Sequence, residues 1–486
     1  MRIPVILFFA LFSVSLSGQV RQPHSLYFMN TIPQTAQMNP AFQPRANGYV
    51  ALPVNVNIDL ICDLALKDIL QQHGDKWYTP VEEQYDYDKL RKSIGKKATM
   101  INVAGDFDII GFGLRLGAGY LSFGASQHLS FINALPSDLF KMTEEGFPDP
   151  TNLDFSPARL QSIGYMQFRL GYSHRINERL SIGFNVKPIV GQAAYASKID
   201  KFKLNTGKEK WEAEVKGNFY SSAPVDITMK EDDPDKIKDV DVKDFDDYEI
   251  KDWVNYGMGF NNPGVAIDLG AVYQIGERFT VSASLNNLGM IFWKKDLNSI
   301  SFDGRYTFDG VNYDVAKDDQ DVLEDLFDEL EDAVGYRVKH DKFTTPLAPV
   351  LHAGVSYSLS RSLSAGLMSR TVFWEKAVRQ SFNLSLYLQP YSFVSLNAGL
   401  TYQVKGNVYP GGGLMFYPGP LPLQIYVLFD YALLYYSTVK IGEKGKEIPF
   451  PETQKSINAR VGVNLVFGRH GYTNNPMLDK GRSSWN

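Results

Sequence analysis

Six charged side chains set among apolar neighbours are the residues best placed to do chemistry: Asp106, Asp108, Arg115, Arg169, Asp268 and Arg460. Successive side chains of an extended chain point to opposite faces, so each of these charges shares a strand with an apolar face turned the other way. An Arg or Lys facing lipid at mid-depth costs about 2–4 kcal/mol. All six are therefore expected to point into an enclosed lumen, where they are candidates for holding a ligand or lining a passage. Ser126 and His128 form a second pattern, since residues two apart on a strand share a face and could pair as nucleophile and base. Alternation also produces such pairs by chance, and no hydrolase motif surrounds this one, so the chain is not expected to be an enzyme. The 7 histidines show no two-residue metal spacing and there is 1 cysteine, Cys62. Neither a metal site nor a cofactor is expected. Asp232–Asp252 is densely acidic, but it lacks the glycine turn and terminal glutamate of a calcium loop and is interrupted by Lys236, Lys238 and Lys243. It reads as a solvated loop.

The elements that must position these charges show a period of two over most of the chain. Phe382, Leu384, Leu386 and Leu388 alternate with Asn383, Ser385, Tyr387 and Gln389, and the pattern resumes over Val394–Val404 after a turn. About fourteen such segments can be read, near 48–61, 105–116, 120–132, 164–174, 180–196, 264–275, 279–293, 350–359, 363–374, 380–388, 393–404, 408–417, 423–436 and 457–467. Their polar faces carry Ser, Asn, Thr and Gly rather than the Lys and Glu of a solvated sheet. Aromatic residues gather toward strand ends, as at Phe292-Trp293, Phe373-Trp374, Tyr391, Phe393 and Tyr435-Tyr436, where an interfacial girdle would lie. The short turns fall on one side of the set, while the loops 62–97, 133–163, 197–263, 294–349 and 439–456 fall on the other. The apolar phase changes near Gly111, which predicts a bulge there. The segment 201–220 also reads as a hairpin, and it must project from the rim without crossing if the later turns are to keep their sides. Asp318–Tyr336 has the spacing of a loop helix with one acidic face.

The N-terminus carries a positive n-region, an apolar stretch over Ile3–Leu16 and small residues at Ser15, Ser17 and Gly18, the pattern of a secretory signal peptide spanning residues 1–18. Beyond it no run reaches the ~18 apolar residues of a membrane helix. The chain has 486 residues, 21% of them charged, and a formal charge of −5 with no basic stripe, which argues against a nucleic-acid partner. These features predict an exported, all-β, transmembrane antiparallel barrel in residues 47–468. A hatch-like segment at 19–46 would precede it and a periplasmic tail at 469–486 would follow.

Several motifs carry a resemblance. Leu26-Tyr27-Phe28-Met29, Met38-Asn39-Pro40-Ala41-Phe42-Gln43-Pro44, Leu135–Phe140, Asn262–Gly270 and Ser282–Gly289 resemble an uncharacterised DUF-type outer-membrane barrel family of Bacteroidota. More distantly, Asn39-Pro40-Ala41 and the strand count are similar to the FadL long-chain fatty acid transporters, and the same motif resembles PorP/SprF-like barrels of secretion and gliding systems. The FadL resemblance implies passive uptake of a hydrophobic or amphipathic small molecule, gated by the hatch motif Asn39, Pro40 and Ala41. The PorP/SprF resemblance implies a non-transporting barrel that anchors a surface machine. Expected partners are outer-membrane lipid and either that molecule or a machine protein.

Overall fold

The computed structural model describes residues 21–65, 68, 71–73, 76–78, 85–94, 97–145, 150–207, 210–223, 225–229, 237–242, 259, 261–308, 336–374, 377–404, 408–418, 421–431, 437–441, 446–450 and 455–469. The signal-peptide segment, all but the last residue of the loop helix expected at Asp318–Tyr336, the tail beyond Arg469, Tyr435-Tyr436 and most of the acidic run lie outside them.

Alternating sequence becomes a closed sheet of fourteen antiparallel staves. In chain order they are β1 (Ala46–Ala51 and Asn55–Cys62), β2 (Ala98–Leu116), β3 (Gly119–Pro136), β4 (Arg159–Arg175) and β5 (Leu180–Thr206). Then come β6 (Asn262–Ile275), β7 (Phe279–Trp293), β8 (Phe343–Pro346 and Val350–Ser358), β9 (Leu363–Trp374) and β10 (Ala377–Tyr391). The last four are β11 (Val394–Gln403), β12 (Val408–Phe416), β13 (Leu423–Asp430) and β14 (Ser456–Arg469). β14 pairs with β1, which also pairs with β2, so no edge is left open. Closure satisfies the ladder internally, as lipid requires. Where β1 breaks at 52–54, Asn55 Nδ2 donates to the carbonyls of Leu52 (2.7 Å) and Val463 (3.0 Å), so the gap leaves neither oxygen unpaired.

Burial along the staves is the inverse of a soluble sheet. On β10, Leu384 and Leu386 are 57% and 52% exposed, whereas Asn383, Ser385 and Tyr387 are each 1% exposed. A row of outward leucines over a buried polar row has its lower free energy in a hydrocarbon surround. No helix of the described residues is long and apolar enough to cross a membrane.

The bulge expected near Gly111 is a register shift between Asp108 and Ile110, which turns Ile110 and Phe112 outward together. The 201–220 hairpin stays outside the barrel. The first half of β5 (Leu180–Gly191) pairs with β6, while its outer half pairs with Trp211–Ser222, which in turn pairs with Leu297–Phe308. Ion pairs line this projection, among them Lys201–Glu214 at 2.5 Å and Arg305–Glu214 at 3.3 Å, which fits a rim standing in water.

One expectation needs correction. Trp293 is not part of an interfacial girdle. It is 0% exposed, stands over Gly191 and donates its indole N–H to Thr345 Oγ1 at 2.9 Å. A tryptophan with a buried partner gains more from packing inward than from a headgroup surface. Tyr391 and Phe393, exposed and stacked at 5.3 Å, do lie at a strand end. Short helices occur elsewhere in the loops, at Tyr87–Ser93, where Asp86 caps the Lys89 amide, and at Ser137–Glu145.

Candidate functional site

The lumen is occupied by the chain's own residues 21–45. Leu26, Tyr27, Met29, Ile32 and Met38 are each at most 2% exposed. The segment starts toward the long-loop end, where the Arg21 guanidinium pairs with Asp59 at 2.7 Å. It ends at the short-turn end, where Gln43 Nε2 donates to the Ala118 carbonyl (3.0 Å) and Arg45 to Gln389 (2.7 Å). Between those points it bonds to staves all round the wall. Tyr27 meets Ser282, Thr31 meets Ser395, and Gln34 meets Asn464. Inward glycines make the room: a Cβ on Gly183, Gly270, Gly354, Gly366 or Gly413 would run into Pro40, Asn39, Tyr27, Phe28 or Met29 respectively. Gly413 thus relieves crowding in an unbroken strand.

In the hatch motif, Asn39 Nδ2 donates to the carbonyls of Ala271 (3.4 Å) and Ala283 (3.2 Å), while its Oδ1 accepts the Ala41 amide at 2.9 Å. That last bond is an Asx turn, which places Pro40 against Gly183. His24 is held at both ring nitrogens: Nδ1 lies 3.0 Å from Asp430 Oδ2, and Nε2 lies 2.9 Å from Ser381 Oγ. Burial, with Arg370 nearby, pushes His24 down to about 4. It is therefore neutral, donating to Asp430 and accepting from Ser381.

Beside the segment lies a polar cavity of about 80 Å³, walled by Arg21, Gln22 and Gln37 on one side and by β2–β5 and β7–β9 on the others. Three of the six sequence-nominated charges line it: Asp106, Asp108 and Arg169. Asp106 Oδ2 accepts from Gln22 (2.6 Å) and Asn57 (3.3 Å). Asp108 pairs with Arg460 at 2.9 Å, so Arg460 braces the cavity from behind. Asp268 lies one layer back, 2.6 Å from Lys187 Nζ. Arg115 is apart from the others, at the short-turn end, donating to Gln43 (3.0 Å) and to the Pro44 carbonyl.

With that geometry in place, the family is decided by a model described as a family of unknown function, DUF5723, which matches residues 40–430. The chain belongs to DUF5723. A search of curated proteins finds no match. Among solved structures, this DUF5723 chain is similar to the Ralstonia pickettii toluene transporter TbuX at 9% identity, covering 89% of this chain and 93% of that one, TM-score 0.43. It is also similar to a Pseudomonas aeruginosa FadL homologue at 12% identity, covering 94% and 99%, TM-score 0.44. A third is the P. putida toluene transporter TodX at 9% identity, covering 94% and 97%, TM-score 0.41. The closure of the DUF5723 barrel follows from its own strand pairing and not from these likenesses.

Ser126 and His128 do meet on the inner face of this DUF5723 barrel. Ser126 Oγ lies 3.1 Å from His128 Nε2, and His128 Nδ1 lies 2.5 Å from Asp106 Oδ1. The order is that of a nucleophile relay. However, β3 is laddered to β2 and β4 on both sides of Ser126, so no backbone amides converge beside its hydroxyl to hold an oxyanion. Asp106 itself is held through its other oxygen by Gln22 and Asn57.

The sequence reading did not nominate Lys187, Arg370, His352, Asp59 or Asp430, all of which are buried in the lumen. Their signal was the same alternation: Lys187 is in phase with Asn185 on β5, and Arg370 is flanked by Ser369 and Thr371 on β9.

Proposed function

We propose that this protein is an outer-membrane channel or binding barrel for small amphipathic molecules, stoppered by its own N-terminal segment. The observation that carries this reading is the contact between that segment and the wall. Besides the Arg21–Asp59 pair and the buried Leu26, Tyr27, Met29, Ile32 and Met38, it is made of single hydrogen bonds seated beside glycine notches, and each such bond, worth about 0.5–1.5 kcal/mol, can be exchanged for another. The exposed leucine rows supply the surface that lipid would contact. In a Gram-negative envelope the short-turn end faces the periplasm and the long loops face outward. The cavity walls are charged and polar side chains, with Val350 and Val372 as the apolar exceptions, so of an amphipathic cargo it suits the polar head and not the chain.

Liposome uptake of detergent-like and fatty ligands by the purified barrel, set against a deletion of residues 19–46, tests the proposal. Faster uptake by the deletion is expected, and no uptake by either form would overturn it.

A second reading is favoured by the filled lumen together with the projecting sheet of Trp211–Ser222, Leu297–Phe308 and Tyr336–Lys339. In it the barrel passes nothing and anchors a surface or secretion machine through that rim. Affinity isolation from intact envelopes should then recover partner proteins, and recovery of the barrel alone would count against it.

A further inference from the structure

Two of the cations around the lumen cavity touch no carboxylate among the described residues. Of its lining cations, Arg21 is matched by Asp59 and Lys187 by Asp268. Of the lining carboxylates, Asp108 pairs with Arg460, and Asp106 is held through Oδ2 by Gln22 and Asn57. That leaves Arg169 on β4 and Arg370 on β9, which make no ion pair among the described residues. They are 9% and 4% exposed. Arg370 donates Nε to His352 Nε2 (3.3 Å) and Nη2 to the Gln22 carbonyl (2.5 Å), both neutral acceptors, and its Nη1 has no partner. Gly124 keeps the space beside the Arg169 guanidinium clear, since a Cβ there would come within 3.1 Å of Nη2.

Burying a guanidinium with no carboxylate in contact is unfavourable. Two of them lining one polar cavity make a site for an anion, and a planar fork of N–H donors fits a carboxylate or phosphate face. The cavity is too small and too polar for an alkyl chain. We infer that it binds a small oxyanion, a carboxylate or a phosphate, at Arg169 and Arg370, and that the bound anion clamps the N-terminal segment in the lumen. The clamp follows from the walls. Arg21, Gln22 and Gln37 of the segment line the cavity, and Arg370 already grips the Gln22 backbone. An anion that binds this closed arrangement and not a released segment stabilises the closed form in proportion to its occupancy. The inference goes beyond the channel proposal, because binding would occur whether or not the lumen ever conducts.

Calorimetric titration of inorganic phosphate and, separately, of acetate into the purified full-length chain in detergent tests it. Saturable binding of at least one is expected, and the preferred ion identifies the acid class. R370Q and R169Q should each weaken binding at least tenfold. R278Q, at an exposed turn, should leave it unchanged. R370K keeps the charge but loses the fork, so its affinity should fall between those of wild type and R370Q. It also serves, with R169Q, if R370Q does not fold. The clamp is read by trypsin cleavage at Arg45, which the bound ion should slow in wild type and not in R169Q. Absence of saturable binding to both ions, or unchanged affinity in the arginine variants, overturns the site. Binding without slower cleavage overturns the clamp.

Discussion

Lys187 Nζ lies 2.6 Å from Asp268 Oδ1 inside the barrel, with Lys187 5% and Asp268 0% exposed. The pair also fixes backbone. Asp268 Oδ1 accepts the amide of Asn287 at 2.8 Å, and Lys187 donates to Asn287 Oδ1 at 2.6 Å. Asn287 has φ 62°, a left-handed conformation that asparagine tolerates better than most residues. Three staves are thus tied at one irregular point of β7. K187M would leave Asp268 buried without its cation, and a loss of about 3–5 kcal/mol is expected. Urea unfolding of the refolded barrel measures this, and a variant as stable as wild type would remove the pair from the account.

The glycine notches give a second expectation. A methyl on Gly183 would strike the Pro40 carbonyl, whereas one on Gly105 meets only the Asn57 carbonyl at 3.7 Å, an ordinary contact. G183A should therefore loosen the N-terminal segment and speed trypsin cleavage at Arg45. G105A should match wild type. Equal cleavage in both variants would mean that the notch does not hold the segment.

Acid should also loosen the segment. His24 titrates at about 4 when docked, among Asp430, Arg370, Arg21 and Tyr431, and near its ordinary 6.5 when released. Between those values the released form binds more protons. Docking is then at full strength above pH 6.5, weakens as the pH falls through the window, and levels off below about 4. The drop corresponds to about 3 kcal/mol. Cleavage at Arg45 by a protease active across this range should accelerate from pH 7 to pH 4.5. H24Q, which cannot titrate, should remove the dependence; a slope that persists in H24Q would assign it to other groups.

Outward leucines should be sensitive to charge. Leu384 is 57% exposed and sits mid-strand on β10. L384R should cost about 2–4 kcal/mol in lipid vesicles. In a soluble sheet the same change at so open a position would cost little, so a neutral result would argue against the membrane setting.

The staves were legible because alternation is local: each needs only its own residues to declare two faces. The boundaries were not. β2 runs from Ala98 where the apolar pattern starts near 105, because its outer half pairs with β3 outside the strict lipid phase. The inward charges could be nominated singly, yet their pairing joins positions far apart in sequence, as Arg460 with Asp108 and Lys187 with Asp268. Trp293 was misplaced for a related reason. Its position at a strand end is visible in the sequence, while Gly191, the glycine that admits it, lies on another stave.

Because Arg45 runs without a break into Ala46 at the head of β1, the lumen-filling segment is on a leash fixed at the short-turn mouth. Any release and return is then a first-order event within one molecule. A short flexible tether holds its end at an effective concentration on the order of millimolar. Reclosing would proceed at the same rate in a sparse membrane as in a crowded one, and a free competitor would need comparable concentrations to keep the barrel open.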